Sequence, residues 1–271
     1  MPELHAVLAL LLFVAQSGAP AAPPLPAAQL IQHAVAQRWN DENQAGNFTY
    51  FETWHNQNYD SSGKVLVDES AKFESTVLNG KPYLHMTEQN GQPLKNLDAT
   101  VEEQRYDSAI AAGSGMTMDQ RVAALVTQKL GFHIHLDLLP DDFHCAVVGT
   151  DSLNGRSALH LDCMPLGGRK PKDPEKARGM LYHLQVWIDV EDQAFARVDA
   201  ELLRKDRALL PGTLSSIRWQ PVDGVWLPVT METHGRAVQR NAGRKRVISF
   251  ATEYSFTNYR RFRTEVKVLT K

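Results

Sequence analysis

The chain has 271 residues, 43% of them apolar and 22% charged, and 29 basic residues against 31 acidic ones give a formal charge of −2. Length and composition exclude a disordered chain, a collagen-like chain and a disulfide-stapled miniprotein, and they allow one large domain or two small ones, with a real core. A charge near zero argues against a dedicated nucleic-acid binder, which carries a basic excess.

The chain opens with an apolar block at residues 6–15, followed by the small residues Ser17, Gly18, Ala19, Ala21 and Ala22. About 10 apolar residues cannot span a bilayer core of roughly 30 Å as a helix. The pattern reads as a secretory signal peptide over residues 1–19, although Glu3 and His5 stand where a basic flank is usual. No cysteine lies there to accept a lipid anchor. A Pro/Ala spacer follows at 20–26, and a single domain is expected over 27–271. A soluble, monomeric periplasmic protein is the expectation.

A first helix is predicted over residues 27–40, with Leu30, Ile31, Ala34, Val35 and Trp39 as its apolar stripe. Aromatic and β-branched residues then predict strands at 48–55, 65–78 and 83–87. Ser61-Ser62-Gly63, Asn79-Gly80 and Asn90-Gly91 supply the turns of an antiparallel meander. A polar helix is predicted at 98–112. An amphipathic one follows at 117–130, with Met118, Val122, Leu125 and Val126 inward, Thr117 as N-cap and Gly131 beyond its end. Residues 132–138 alternate apolar and polar as a strand does, and Pro140 closes them.

The two cysteines, Cys145 and Cys163, flank Asn154-Gly155, a strong hairpin signal. A loop centred on Asn154 opposes residues whose numbers sum to 308, which pairs the cysteines across the ladder. A disulfide is expected in an oxidising compartment; the alternative is two buried thiols. A loop covers 165–178. Strands follow at 182–189, 194–202, 214–220, 225–234, 245–256 and 262–269. So many antiparallel strands curl. With about three helices available, the economical fold is mainly β, a strongly curved sheet or incomplete barrel of about eleven strands with helices over its concave face.

No nucleophile elbow, phosphate loop, zincin helix or paired-CxxC pattern is present, so neither an enzyme nor a cofactor is expected. On a strand, His133, His135 and Asp137 would share one face, as metal ligands or simply as its polar side; no metal is assigned. From Arg236 to the C-terminus there are ten basic residues against Glu253 and Glu265. Arg244, Arg246, Arg260, Arg261 and Arg263 are read as a basic docking face for anionic headgroups or an acidic partner, with solvated edge charge as the alternative. Tyr50, Trp54, Phe73, Tyr83, Trp187, Phe195 and Trp226 on strands, with helical Leu125, are read as the lining of a cavity for an acyl chain. The alternative is that they fill the core.

Several blocks carry a resemblance: Leu78-Asn79-Gly80-Lys81-Pro82-Tyr83, Asn90-Gly91-Gln92-Pro93-Leu94, Leu153-Asn154-Gly155-Arg156, Val186-Trp187-Ile188-Asp189, Gly224-Val225-Trp226-Leu227-Pro228 and Asn258-Tyr259-Arg260-Arg261-Phe262. In these the chain resembles the outer-membrane lipoprotein-sorting (LolA-like) superfamily of exported bacterial proteins. The blocks mark turns and strand edges more than chemistry, and the helical stretch 98–130 departs from the compact carrier pattern. The resemblance implies an incomplete antiparallel barrel plugged by helices, binding lipid moieties, lipoprotein acyl chains or periplasmic signalling partners. The expected function is a soluble periplasmic lipid or lipoprotein carrier that shelters acyl chains. The alternative is a periplasmic regulatory domain with a filled interior.

Overall fold

The structure is a computed structural model that describes residues 26–78, 81–112, 134–169, 171–241 and 244–262. The predicted signal peptide, the Asn79-Gly80 turn, helix 117–130 with Leu125, and Arg263 within the last predicted strand lie outside the described residues.

Eleven strands form one antiparallel sheet: β1 (Phe48–Tyr59), β2 (Val65–Leu78), β3 (Lys81–Gln89), β4 (Gln92–Pro93), β5 (Phe143–Leu153), β6 (Arg156–Pro165), β7 (Tyr182–Asp189), β8 (Ala194–Leu202), β9 (Leu214–Val222), β10 (Val225–Asn241) and β11 (Arg244–Arg261). Their order is β4-β3-β2-β1-β11-β10-β9-β8-β7-β6-β5, so the sheet is open, with β4 and β5 at its edges. Among the described residues four helices accompany it: α1 (Ala27–Ala45), α2 (Asn96–Ala112), α3 (Leu139–Asp142) and α4 (Pro174–Gly179). This is the open, helix-plugged sheet that the resemblance implied.

Alternation along each strand gives the sheet two unlike faces. One cross-strand row of its inner face runs Val186, Val198, Ile217, Met231, Tyr254, Trp54 and Ala71 in register. Helix α1 lies over β7, β8 and β10 and buries Leu30, Ile31 and Ala34 in the same cluster as Val186, Val198, Ile217, Met231 and Tyr254. Each fully buried Leu or Ile contributes about 1.5–3 kcal/mol.

The helix runs five residues past the predicted end, and Trp39 is 56% exposed rather than part of the stripe. The reason is angular. Trp39 stands about 140° round the helix from Ala34, whereas Asp41 stands about 20° from it, and Asp41 and Ala45 are the buried residues of the last turns.

Three further expectations are corrected. Within the predicted strand 132–138, the described residues 134–138 do not make a strand: Leu136–Leu138 is a 3-10 turn that runs into α3. Pro140 opens that helix instead of closing a strand, because its fixed φ suits a first turn. Leu136, Leu138 and Leu139 are buried together, which a strand's alternation would not allow. The predicted loop 165–178 contains most of α4, whose N-cap Asp173 accepts the Glu175 N–H at 2.8 Å. On the helix predicted as polar, Glu102 is only 4% exposed. From α2 it accepts the Met86 N–H at 3.1 Å and pairs with Arg105 at 2.8 Å. It thereby occupies a backbone donor on the outer edge of β3, as edge strands require.

The cysteine hairpin forms, by a route the residue sum did not contain. Asn154 and Gly155, both at positive φ, make a two-residue turn between Leu153 and Arg156, so opposed residues first sum to 309. A bulge between Val147 and Gly149 removes one from that sum. Cys145 and Cys163 are thereby opposed, with Cα atoms 4.1 Å apart, and joined in a disulfide. The bond closes an 18-residue separation. Replacing both cysteines by serine is expected to cost about 2–3 kcal/mol in denaturant unfolding. Thiol titration of the denatured, unreduced parent should find no free cysteine.

Candidate functional site

Beneath α1 the interior is filled. Phe195 (2% exposed) and Trp226 (5%) belong to this core. Trp226 closes its rim: its Nε1–H donates to Asp192 at 3.1 Å, and the Arg156 guanidinium lies over its ring at 5.7 Å. Arg156 also grips Asp189 through two hydrogen bonds of 2.7 and 2.8 Å and pairs with Asp192 at 2.8 Å. Three of the resemblance blocks therefore meet in one clamp that ties the β5–β6 turn to the β7–β8 turn.

Beyond α1, the same face continues across β1, β2 and β3. There Phe73 opposes Glu52 on one side and Met86 on the other, Trp54 opposes Ala71, and Tyr50 and Leu84 both oppose Ser75. Tyr50, Trp54, Phe73, Leu84 and Met86 are all half-buried. They form an apolar shelf that continues the core, since Tyr50 and Trp54 pack against its buried cluster. Three of the predicted lining residues, Tyr50, Trp54 and Phe73, are thus brought together. Leu84 and Met86 were missed because the register of β2 against β3 contains a shift between Lys72 and Phe73.

The structure places the other two described aromatics elsewhere. Tyr83 lies on the opposite side of β3 from Leu84 and packs edge-on against Tyr106 of α2 at 5.4 Å. Trp187 stands on the outer face of the sheet. It stacks on His160 with centroids 4.2 Å apart, donates to Asp151 at 2.7 Å and carries Arg197 over its ring at 4.8 Å. That outer face is polar. A concavity of about 470 Å³ on it is lined by His183, Arg197, Asp199, Arg218, Glu232 and His234, among others. His183 is bonded to Asp162, and Arg197 holds Asp199 at 2.6 and 2.9 Å.

His135 and Asp137 do not share a strand face. Asp137 lies 2.8 Å from Lys176 and 3.5 Å from His135. Its carboxyl is held down at about 2, chiefly by the hydrogen bond to His135 and further by Lys176, against an opposing effect of burial. His133 lies outside the described residues. The basic residues also separate. Arg246 and Arg260 are 14 positions apart on β11, roughly 45 Å along a strand. Arg261 lies over the Phe48 ring at 5.3 Å, and Arg244 sits at the far end of the same strand.

No family model matches the chain, and no curated protein matches it. Among solved structures it is similar to a LolA superfamily protein of Nitrosomonas europaea, with 10% identity, 91% of this chain and 98% of that chain covered, and a TM-score of 0.34. It is similar to a protein domain described as outer-membrane lipoprotein-sorting, from Vibrio parahaemolyticus, with 12% identity, 88% and 95% covered, and a TM-score of 0.36. A chain of the Pseudomonas aeruginosa MucA/MucB complex matches with 11% identity, 85% and 100% covered, and a TM-score of 0.26. Likeness at this level carries no argument about function, so the functional reading rests on the chain's own residues.

Where α1 meets β10, Asp41 is 2% exposed. Burial pushes its carboxyl from 3.8 up to about 6, against hydrogen bonds from the Trp226 backbone and Gln37 that pull it down. A carboxyl raised on folding binds its proton more tightly in the folded state. The stability this adds is complete below about pH 3.8 and is lost as pH rises through about 6. Asp41→Asn stays neutral and escapes that loss. It is expected to melt about 2–4 °C above the parent near neutral pH, with the gap closing as melting scans move to acid.

Proposed function

We propose that this chain is an exported, soluble binding protein that holds an acyl chain against the shelf of Tyr50, Trp54, Phe73, Leu84 and Met86. The observation that carries this reading is the half-burial of five large apolar side chains on one continuous stretch of the inner face, next to a close-packed core. A chain laid on such a surface gains about 0.8 kcal/mol for each CH₂ it removes from water. An isolated exposed apolar residue needs no explanation, whereas a contiguous apolar surface is a feature of binding sites. The site is a shelf beside the plug and not a deep cavity beneath it, because α1 has filled that space. Export is supported by the Cys145–Cys163 disulfide, which persists in oxidising compartments. No helix among the described residues is long and apolar enough to cross a membrane.

The filled interior beneath α1 favours a second reading, a periplasmic regulatory domain whose ligand is a protein. The two separate in one experiment. For the carrier, native mass spectra of protein purified from the periplasm should contain bound lipid. After delipidation, a fluorescent fatty acid should bind, and the double variant Trp54→Ala/Phe73→Ala should weaken that binding by about tenfold or more. Lipid-free spectra together with no fatty-acid binding would overturn the carrier and leave the regulatory domain.

A further inference from the structure

The hairpin of β10 and β11 outruns its neighbours. Pairing of β9 with β10 stops at Leu214 and His234, and pairing of β1 with β11 stops at Tyr59 and Ser249. Beyond those points β10 and β11 continue to pair with each other, from Ala237 opposite Ile248 to Asn241 opposite Arg244. The result is a two-stranded ribbon projecting from an eleven-stranded sheet.

The ribbon is braced at its root. Leu209 bridges to Ala237, the Val238 N–H donates to the Ala208 carbonyl at 2.8 Å, and the Leu210 N–H donates to the Arg236 carbonyl at 2.9 Å. Gly235 lies so close to Thr213 that a Cβ there would fall 2.8 Å from the Thr213 Cα. Segment 203–213 is thus packed against the ribbon, and it brings charge with it.

Residues 235–250 contain Arg236, Arg240, Arg244, Lys245 and Arg246 and no acidic residue. The adjoining segment adds Arg204, Lys205 and Arg207, all exposed. Its one acid, Asp206, is 5% exposed and held by Arg178 at 2.6 Å. Glu175 lies 3.5 Å from Arg207 and is shared with Arg178. Six of these cations, Arg204, Lys205, Arg207, Arg236, Lys245 and Arg246, are therefore exposed at one end of a chain whose overall charge is −2. Within this basic ground stand two exposed apolar side chains, Val247 (48%) and Leu203 (37%).

We propose that the ribbon and its bracing segment form a docking site for an anionic phospholipid surface. Lysine and arginine near such a surface gain from its negative potential, and apolar side chains among them suit the boundary between headgroups and acyl chains. Cations on a braced, projecting element can approach a flat surface without the rest of the sheet blocking them. The proposal does not depend on the acyl-chain shelf, which is built from β1, β2 and β3.

Vesicle co-sedimentation tests it. At low salt the purified protein should bind phosphatidylcholine vesicles containing phosphatidylglycerol more strongly than pure phosphatidylcholine vesicles, and high salt should release it. Arg236→Glu/Lys245→Glu/Arg246→Glu should weaken binding by about tenfold or more. Arg236→Lys/Arg246→Lys, which keeps the charge, should retain it. Thermal melting should place both variants near the parent, and a charge-reversed variant that melts early is replaced by the neutral Gln series with the same expected loss. Equal binding to both vesicle types, or undiminished binding by folded charge-reversed protein, would overturn the proposal and leave an acidic protein or a solvated ribbon as the explanation. Neither result bears on fatty-acid binding at the shelf.

Discussion

An antiparallel sheet this wide has one face that must be kept from water, and the placement of α1 over β7, β8 and β10 decides how that is done. Leu30, Ile31 and Ala34 complete a core in which Val186, Ile188 and Val198 have no exposed surface at all. Where the helix lies, the interior is solid; where it does not, Trp54, Phe73, Leu84 and Met86 keep part of their surface. A plug and a shelf are therefore consequences of one packing choice. The helix is fixed at its far end by a costly device, since Asp41 is buried as a carboxylate whose hydrogen bonds only partly offset the loss of water.

An open sheet also has two edges, and they are treated differently. Beside β3 the edge is closed by the two-residue β4 and by Glu102 reaching from α2 to the Met86 N–H. At β5 the chain relies on a bulge, which twists the edge strand, and on the disulfide to β6, which fixes its register. Val147 and Val148 are left more than half exposed at that bulge. The bulge and the disulfide are coupled. Without the bulge, the register set by the Asn154-Gly155 turn would oppose Cys145 to Met164 rather than to Cys163, and a one-residue slip inverts every side chain.

Strand number, order of elements and the cysteine pair were legible in the sequence because each leaves a local mark: Asn-Gly turns, alternation, β-branched runs. The resemblance blocks were legible for the same reason, and the structure gives them a physical role. Arg156, Asp189 and Trp226 form the turn clamp, and the Tyr259 hydroxyl donates to the Pro228 carbonyl at 2.5 Å. What alternation could not resolve is which face a strand presents after a bulge. Trp187 and Phe195 sit in good strands, yet a register shift between β7 and β8 accompanies their separation to opposite faces. The run 132–138 misled for a related reason. Alternate leucines fit both a strand and a tight turn burying one side, and only the proline that follows distinguishes them. The shelf was half legible: its β1 and β2 residues are aromatic, whereas Leu84 and Met86 are ordinary hydrophobes that only pairing brings alongside.

Charge shows the same limit of sequence reading more sharply. A count along the chain joins Arg244 and Arg246 to Arg260 and Arg261, because all four lie in one C-terminal stretch. An extended strand separates them as far as a chain can, while segment 203–213, some thirty residues upstream of the ribbon tip, folds against the ribbon through Leu209 and Ala208. At the far end of β11, Arg261 is already engaged with the Phe48 ring, and the Phe262 N–H donates to the Asn47 carbonyl at 2.6 Å, so that end serves the fold. At the ribbon end, Arg236 and Lys245 are exposed and Arg246 meets only a neutral side chain, Gln239, among its described hydrogen bonds. Two clusters of equal charge in sequence thus differ in what they can do. A cation held over a ring, as Arg261 is over Phe48, is already engaged within the fold, whereas cations around exposed valine on a braced projection retain their field for something outside the molecule.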